Sequence, residues 1–117
     1  HILFETPLGR EHHATGRYID ILVWIDLPLD VALARNIRAF VGQFLYENRP
    51  ERYREQLIWL DHYLENYLGA IRETLNLQGE KVKAGADIVI DGKKSIDEMA
   101  SEVLSKIAGK LPDRETW

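Results

Sequence analysis

The chain contains no cysteine, which excludes disulfides and thiolate metal sites and is compatible with a reducing compartment. Internal repeats and low-complexity tracts are also lacking. No apolar run approaches the roughly 20 residues that a membrane-spanning helix needs, and no secretory leader pattern opens the sequence. Neither sign of charge dominates: 15 basic against 19 acidic side chains leave a formal net charge of −4. Such a balance gives no general attraction to nucleic acid or to anionic membranes. The expectation is a soluble, cytoplasmic chain with no nucleic-acid or membrane partner. Its 117 residues correspond to one domain or a piece of one.

What is present is organised around residues 18–38, YIDILVWIDLPLDVALARNIR. Ile19, Ile21, Leu22, Val23, Trp24 and Ile25 form an apolar run too continuous for a strand with one wet face. Runs of this kind suit a parallel strand covered by helices on both sides. Asp26 and Pro28 end the strand, and Asp30 is placed to cap a helix by accepting from the free N–H groups of its first turn. Leu33, Ile37, Phe40, Val41 and Phe44 recur at three- and four-residue steps, which gives that helix one face to pack on the sheet. Arg35 and Arg38 sit a turn apart and share a face.

Upstream, Ile2, Leu3 and Phe4 read as a short apolar strand with Glu5 at its carboxyl end, where ligands gather in open parallel sheets. A carboxylate there can hold a magnesium-bound water or accept a proton from an attacking hydroxyl; it can equally be a solvated strand-end side chain. The loop TPLGREHHATGR that follows is rich in chemistry. Arg10 and Arg17 suit phosphate, and His12 and His13 suit a ribose or base, against the alternative of a polar surface loop. The two histidines are neighbours rather than an i, i+4 pair, so no metal site is expected.

Downstream, ENRPERYRE alternates acids with Arg49, Arg52 and Arg54, the pattern of a solvated face with internal ion pairs. Leu57, Leu60, Leu64, Leu68, Ile71 and Leu75 predict one long helix over residues 51–77, stopped by Gly79. Trp59, Tyr63 and Tyr67 add aromatic bulk; Tyr63 and Tyr67, at i, i+4, are read as a core or dimer contact in preference to a base-stacking platform. A turn-rich connection over residues 79–87 leads to a short strand, Ile88, Val89 and Ile90, closed by Asp91 and Gly92. Ser95 and Glu98 form a capping box for a final helix with Ile96, Met99, Ala100, Val103, Leu104 and Ile107 as its buried stripe. Gly109 and Pro112 end it. The tail PDRETW has no pattern, and Trp117 is free to dock on a neighbour.

Three of these stretches carry a resemblance. F-E-T-P-L-G-R, the strand ending D-L-P with its following D-V-A-L-A-R-x-I-R, and A-D-I-V-I-D-G together resemble the later half of P-loop kinases of the uridine kinase and nucleoside kinase type. The resemblance implies a partial, parallel three-layer α/β sheet of P-loop NTPase type. It makes residues 1–117 the carboxyl-terminal part of a kinase-like domain with a lid over residues 35–55. It implies ATP and Mg²⁺ as cofactors, with transfer of phosphate to a hydroxyl of a nucleoside-like or sugar-like acceptor. Glu5 would orient that hydroxyl or take its proton, and Arg35 and Arg38 would stabilise the transferring group. One of Arg49, Arg52 or Arg54 would assist. Arg10, His12, His13 and Arg17 would face the acceptor, and backbone groups at Asp91, Gly92 and Lys93 would lie against the adenine.

The family's G-x-x-x-x-G-K-S/T loop does not occur in this sequence, so its phosphate-binding half is expected to lie outside it and the chain to be inactive alone. In the family the strand feeding that loop sits between the strands expected at residues 2–4 and 19–25. Those strands would then pair directly, borrow a second copy, or be completed by an upstream segment; a homo-oligomer is the expectation. The alternative function is a non-catalytic oligomerisation or binding module using the helix over residues 51–77.

Overall fold

A computed structural model describes residues 2–110, so the docking role expected of Trp117 and the tail lies outside the described residues. Strand β1 (Val23–Asp26) is followed by α1 (Leu29–Glu47), α2 (Tyr53–Asn66), a π-helical turn (Tyr67–Ile71), α3 (Arg72–Ala84), strand β2 (Ile88–Asp91) and α4 (Ile96–Ala108). Short 3-10 turns occupy Gly9–Glu11, Gly16–Tyr18 and Pro50–Arg52.

The expected three-layer sheet is not formed. The structure is mostly helical, 67%, with one small sheet of two short parallel strands. Residues 2–4 are not a strand: they lack regular structure, and Ile2 and Leu3 are 93% and 98% exposed. A strand is held by ladder bonds to a neighbour, and this segment has none. The run over residues 19–25 contributes only its last part, because Gly16–Tyr18 turns as a 3-10 helix and pairing with β2 starts at Val23. Ile25 is exposed where full burial was expected.

Three helix expectations are also corrected. The N-cap of α1 is Pro28, whose fixed φ suits entry to a helix, and Asp30 lies inside the first turn, where its charge favours the helix dipole. The long helical stretch runs through Gly79, with a π-helical turn inside it, and ends at Ala84; the turn-rich connection over residues 79–87 shrinks to its last few residues. Gly79 lies inside α3, where a glycine is tolerated at a cost of about 1 kcal/mol, and a Cβ there would meet the Trp24 ring at an ordinary contact distance of 3.5 Å. On α4 the capping box is present, but Ile96 and Leu104 are exposed, leaving Met99, Val103 and Ile107 half-buried.

The chain divides into two compact units, one from residues up to Leu27 plus those from Gln78 on, the other Pro28–Leu77. The first holds the sheet. Val23, Trp24, Ile25 and Asp26 pair with Ile88, Val89, Ile90 and Asp91 in parallel register. Leu22, Val82, Ile88 and Ile90 are its buried apolar side chains, with Ile90 fully enclosed. Gly9, at φ +50°, lies against this core, and a Cβ there would come within 2.8 Å of Val82 Cγ1 and 3.2 Å of Leu22. Both the left-handed backbone and the close approach require glycine.

The second unit is built on an aromatic cluster. Phe40 meets Trp59 and Tyr63 edge-on at centroid distances of 4.8 and 5.3 Å, and Phe44 meets Trp59 edge-on at 6.3 Å. These are favoured aromatic geometries, in which Tyr63 is half-buried and Trp59 stays 47% exposed. Tyr67 is buried. Asn48 ends α1 in the left-handed region, which asparagine tolerates, and its N–H donates to Phe44 O at 3.2 Å.

Candidate functional site

Arg10 is occupied by the fold itself. Its Nη1 donates to Gly85 O at 2.7 Å and its Nη2 to Asp87 Oδ2 at 2.6 Å and Asp20 O at 3.2 Å, with longer contacts to Ile19 O. Asp87 Oδ2 also accepts from Leu22 N at 2.7 Å. The Leu22 N–H first, and the guanidinium second, hold the Asp87 carboxyl below the usual carboxylate range. The cluster ties the loop over residues 6–17 to the entries of both strands, and it spends on protein acceptors the donors that phosphate recognition would need.

Elsewhere in that loop Gly9 and Gly16 are buried and His12 is half-buried, while His13 and Arg17 are exposed. His12 Nδ1 accepts from Thr15 N at 3.3 Å and lies 3.1 Å from Thr15 Oγ1, while its ring stacks on His13 at 5.6 Å between centroids. A ring nitrogen accepting from a backbone N–H three residues on belongs to a turn. Arg17 Nη2 donates to Tyr18 Oη at 2.8 Å, and its guanidinium carbon lies 4.7 Å from that ring's centroid. Glu5 is exposed on the irregular segment rather than at a strand end.

At the carboxyl ends of the strands, Asp26 and Asp91 are register partners. Lys83 Nζ donates to Asp26 Oδ2 at 3.1 Å and Trp24 Nε1 to Asp26 Oδ1 at 3.2 Å; these two bonds, lysine first, lower the carboxyl's pKa. The backbone groups expected to meet adenine have partners here: Gly92 N donates to Asp26 O at 2.8 Å and Lys93 N to Asp91 Oδ1 at 2.9 Å. Those two donors do not fit a nucleotide base without breaking the turn that follows β2. Neither Lys83 nor Trp24 stood out in the sequence, since their bond to Asp26 joins residues 57 positions apart in one case and forms within a strand in the other.

Arg35 and Arg38 lie exposed on α1, in the second unit, whereas Glu5, the loop residues and Asp91, Gly92 and Lys93 belong to the first. Within the second unit Glu47 gathers two neighbours: its Oε2 accepts from Gln56 Nε2 at 3.1 Å and lies 3.5 Å from Arg52 Nη1. Arg52 also lies 3.9 Å from Glu55. Beside this network is a cleft of about 330 Å³ with Phe40, Phe44, Trp59, Glu47, Glu55 and Gln56 in its lining. Gln56 is a buried polar residue of the unit, 6% exposed, and its Oε1 has no hydrogen-bond partner among the described residues. The sequence offered no signal for it beyond a glutamine in a charged run.

Among the described residues no group of three or more His, Asp or Glu side chains is placed to hold a metal ion, and no helix is long and apolar enough to cross a membrane. Comparison with known proteins finds no matching family model, no matching curated protein and no matching solved structure.

Proposed function

We propose that the chain works as part of an ATP-dependent kinase that passes phosphate to a hydroxyl of a nucleoside-like or sugar-like acceptor. The observation that supports this reading is the pairing of the two motif segments that form strands. W-I-D, leading into L-P-L-D, lies parallel to and in register with I-V-I-D, so that Asp26 and Asp91 end the strands side by side. Carboxyl ends of neighbouring parallel strands are where ligands of open α/β sheets bind. In this reading the chain's share of the reaction is charge: Arg35 and Arg38 act on the transferring phosphoryl group, whose transition state is helped mainly by positioning and by cations at its oxygens. ATP and Mg²⁺ would be held by a phosphate-binding loop outside this sequence, and the N–H groups of Gly92 and Lys93, already bonded within the turn, take no part. In a protein carrying both parts, Arg35→Ala and Arg38→Ala should lower kcat on the order of tens- to thousands-fold with little change in the KM for ATP. Wild-type turnover in both variants would remove the arginines from the mechanism. Calorimetry on this chain with ATP and Mg²⁺ should give no measurable binding, and a micromolar Kd would contradict the division of labour.

A second reading, self-association through the long helical stretch, is favoured by its exposed apolar side chains Leu57, Ile58, Leu68, Leu75 and Leu77. The occupant would be a second copy of the chain.

A further inference from the structure

The cleft beside Gln56 has a chemistry of its own that the kinase reading does not use. We propose that it binds a small organic ammonium ion carried on an aromatic body. Rings supply its apolar wall: Phe40, Phe44 and Trp59, already locked edge to face, with Trp59 half exposed. An indole offers the best surface for a cation among the aromatic side chains. The polar wall carries two carboxylates, Glu47 and Glu55, against one guanidinium, Arg52, which lies 3.5 and 3.9 Å from them. These contacts are long for ion pairs and leave carboxylate oxygens for a further cation.

Gln56 decides between a donor and an acceptor ligand. Its Nε2 is committed to Glu47, which sets the amide's orientation and leaves Oε1 as a buried acceptor without a donor. An N–H completes such a group; a phosphate or carboxylate oxygen cannot. Oε1 is enclosed by the protein, and the broad terminal torsion of a glutamine lets it turn toward an incoming donor by loosening the Nε2 bond to Glu47. A volume of about 330 Å³ lies at the small end of ligand sites and accommodates one ring with a short chain.

The test uses three probes of matched shape and different charge: 2-phenylethylammonium, 2-phenylethanol and 3-phenylpropionate. Binding to the full chain is followed by NMR at the Gln56 side-chain amide and the Trp59 indole N–H. The ammonium should produce saturable shifts at both groups and bind about tenfold more tightly than the alcohol, a ratio within the range of cation–aromatic attraction, while the carboxylate gives none. Gln56→Leu and Glu47→Gln should each erase the preference for the ammonium, with thermal melting and far-ultraviolet dichroism confirming that both variants fold. Equal binding of the three probes, tighter binding of the carboxylate, no shift with any probe, or an unchanged preference in both folded variants would each overturn the proposal. Kinase activity is not part of the readout, so failure of the phosphotransfer reading would leave this result standing, and the reverse.

Discussion

Arg10 and Asp87 show how much of the fold a single pair of side chains organises. The guanidinium reaches Gly85 and Asp87, 75 and 77 positions along the chain, and Asp87 in turn accepts from Leu22 N at the start of the sheet. Nothing local marks this role. In sequence Arg10 is a basic residue in a polar loop, equally suited to phosphate, and only the three-dimensional return of residues 85–87 distinguishes the readings. Asp87→Asn tests the cluster. Its folded-state pKa is lowered, so its ionised form stabilises the fold; that contribution is present above the unfolded pKa and lost as pH falls through the folded value. Urea unfolding should therefore show wild type more stable than the variant at pH 7, with the gap narrowing below about pH 4. A gap that stays constant into acid would mean that the carboxylate's charge does no stabilising work. Gly9→Ala at the same corner should be costly for a different reason. The left-handed φ costs about 1–2 kcal/mol, and the close contact with Val82 adds about 1–3 kcal/mol of overpacking. Denaturant melts of the purified variant measure the sum, and a loss under about 0.5 kcal/mol would show that the corner relaxes freely.

At the scale of elements, legibility followed the range of the interaction. The capping box of α4 was readable because its partners lie three residues apart: Glu98 N donates to Ser95 Oγ at 3.2 Å and Ser95 N to Glu98 Oε2 at 3.0 Å. The strand at Ile88–Asp91 was readable because three β-branched residues stand between turn signals. The end of the long helical stretch was not, since a single glycine weakens a helix without obliging it to stop, and α3 runs on through Gly79 to Ala84. The strand expected at residues 2–4 failed for a related reason: apolar character makes a segment able to pair, and pairing needs a neighbour that is absent here. Likewise Arg35 and Arg38 were readable as helix-borne cations, but no pattern along one chain could tell whether anionic chemistry meets them. The cap offers a clean measurement. Ser95→Ala should lose about 1 kcal/mol and fray the start of α4, while Glu98→Gln, which keeps the reciprocal bond, should lose much less. Amide hydrogen exchange at residues 96–99 reports the fraying directly, and equal protection in wild type and Ser95→Ala would show that packing on β2, not the cap, holds this end.

Considered whole, the molecule keeps little apolar surface for itself. Its buried apolar side chains among the described residues are Leu22, Tyr67, Val82, Ile88 and Ile90, while Leu57 and Leu68 stand 65% and 76% exposed and Ile2 and Leu3 almost entirely so. Among the described residues each strand of the two-stranded sheet also has one edge without a strand partner, and such edges beside exposed apolar residues such as Ile25 and Val89 are ready templates for another chain. Monomeric proteins seldom leave large contiguous apolar patches open to water. The prediction is that the isolated chain self-associates. Sedimentation equilibrium at low micromolar concentration should give a mass above 13.6 kDa that rises with concentration. Leu57→Glu combined with Leu68→Glu places charge on the long helical stretch alone. If that stretch is the contact, the double variant should sediment as a monomer with unchanged helix content, because both side chains are exposed and neither contributes to a core. Association that survives the double variant would move the contact to the strand edges, where Val89→Lys is the corresponding change on β2. A cooperative, fully folded monomer at every concentration would sink the association reading altogether, and with it the view that this chain completes its apolar burial only in company.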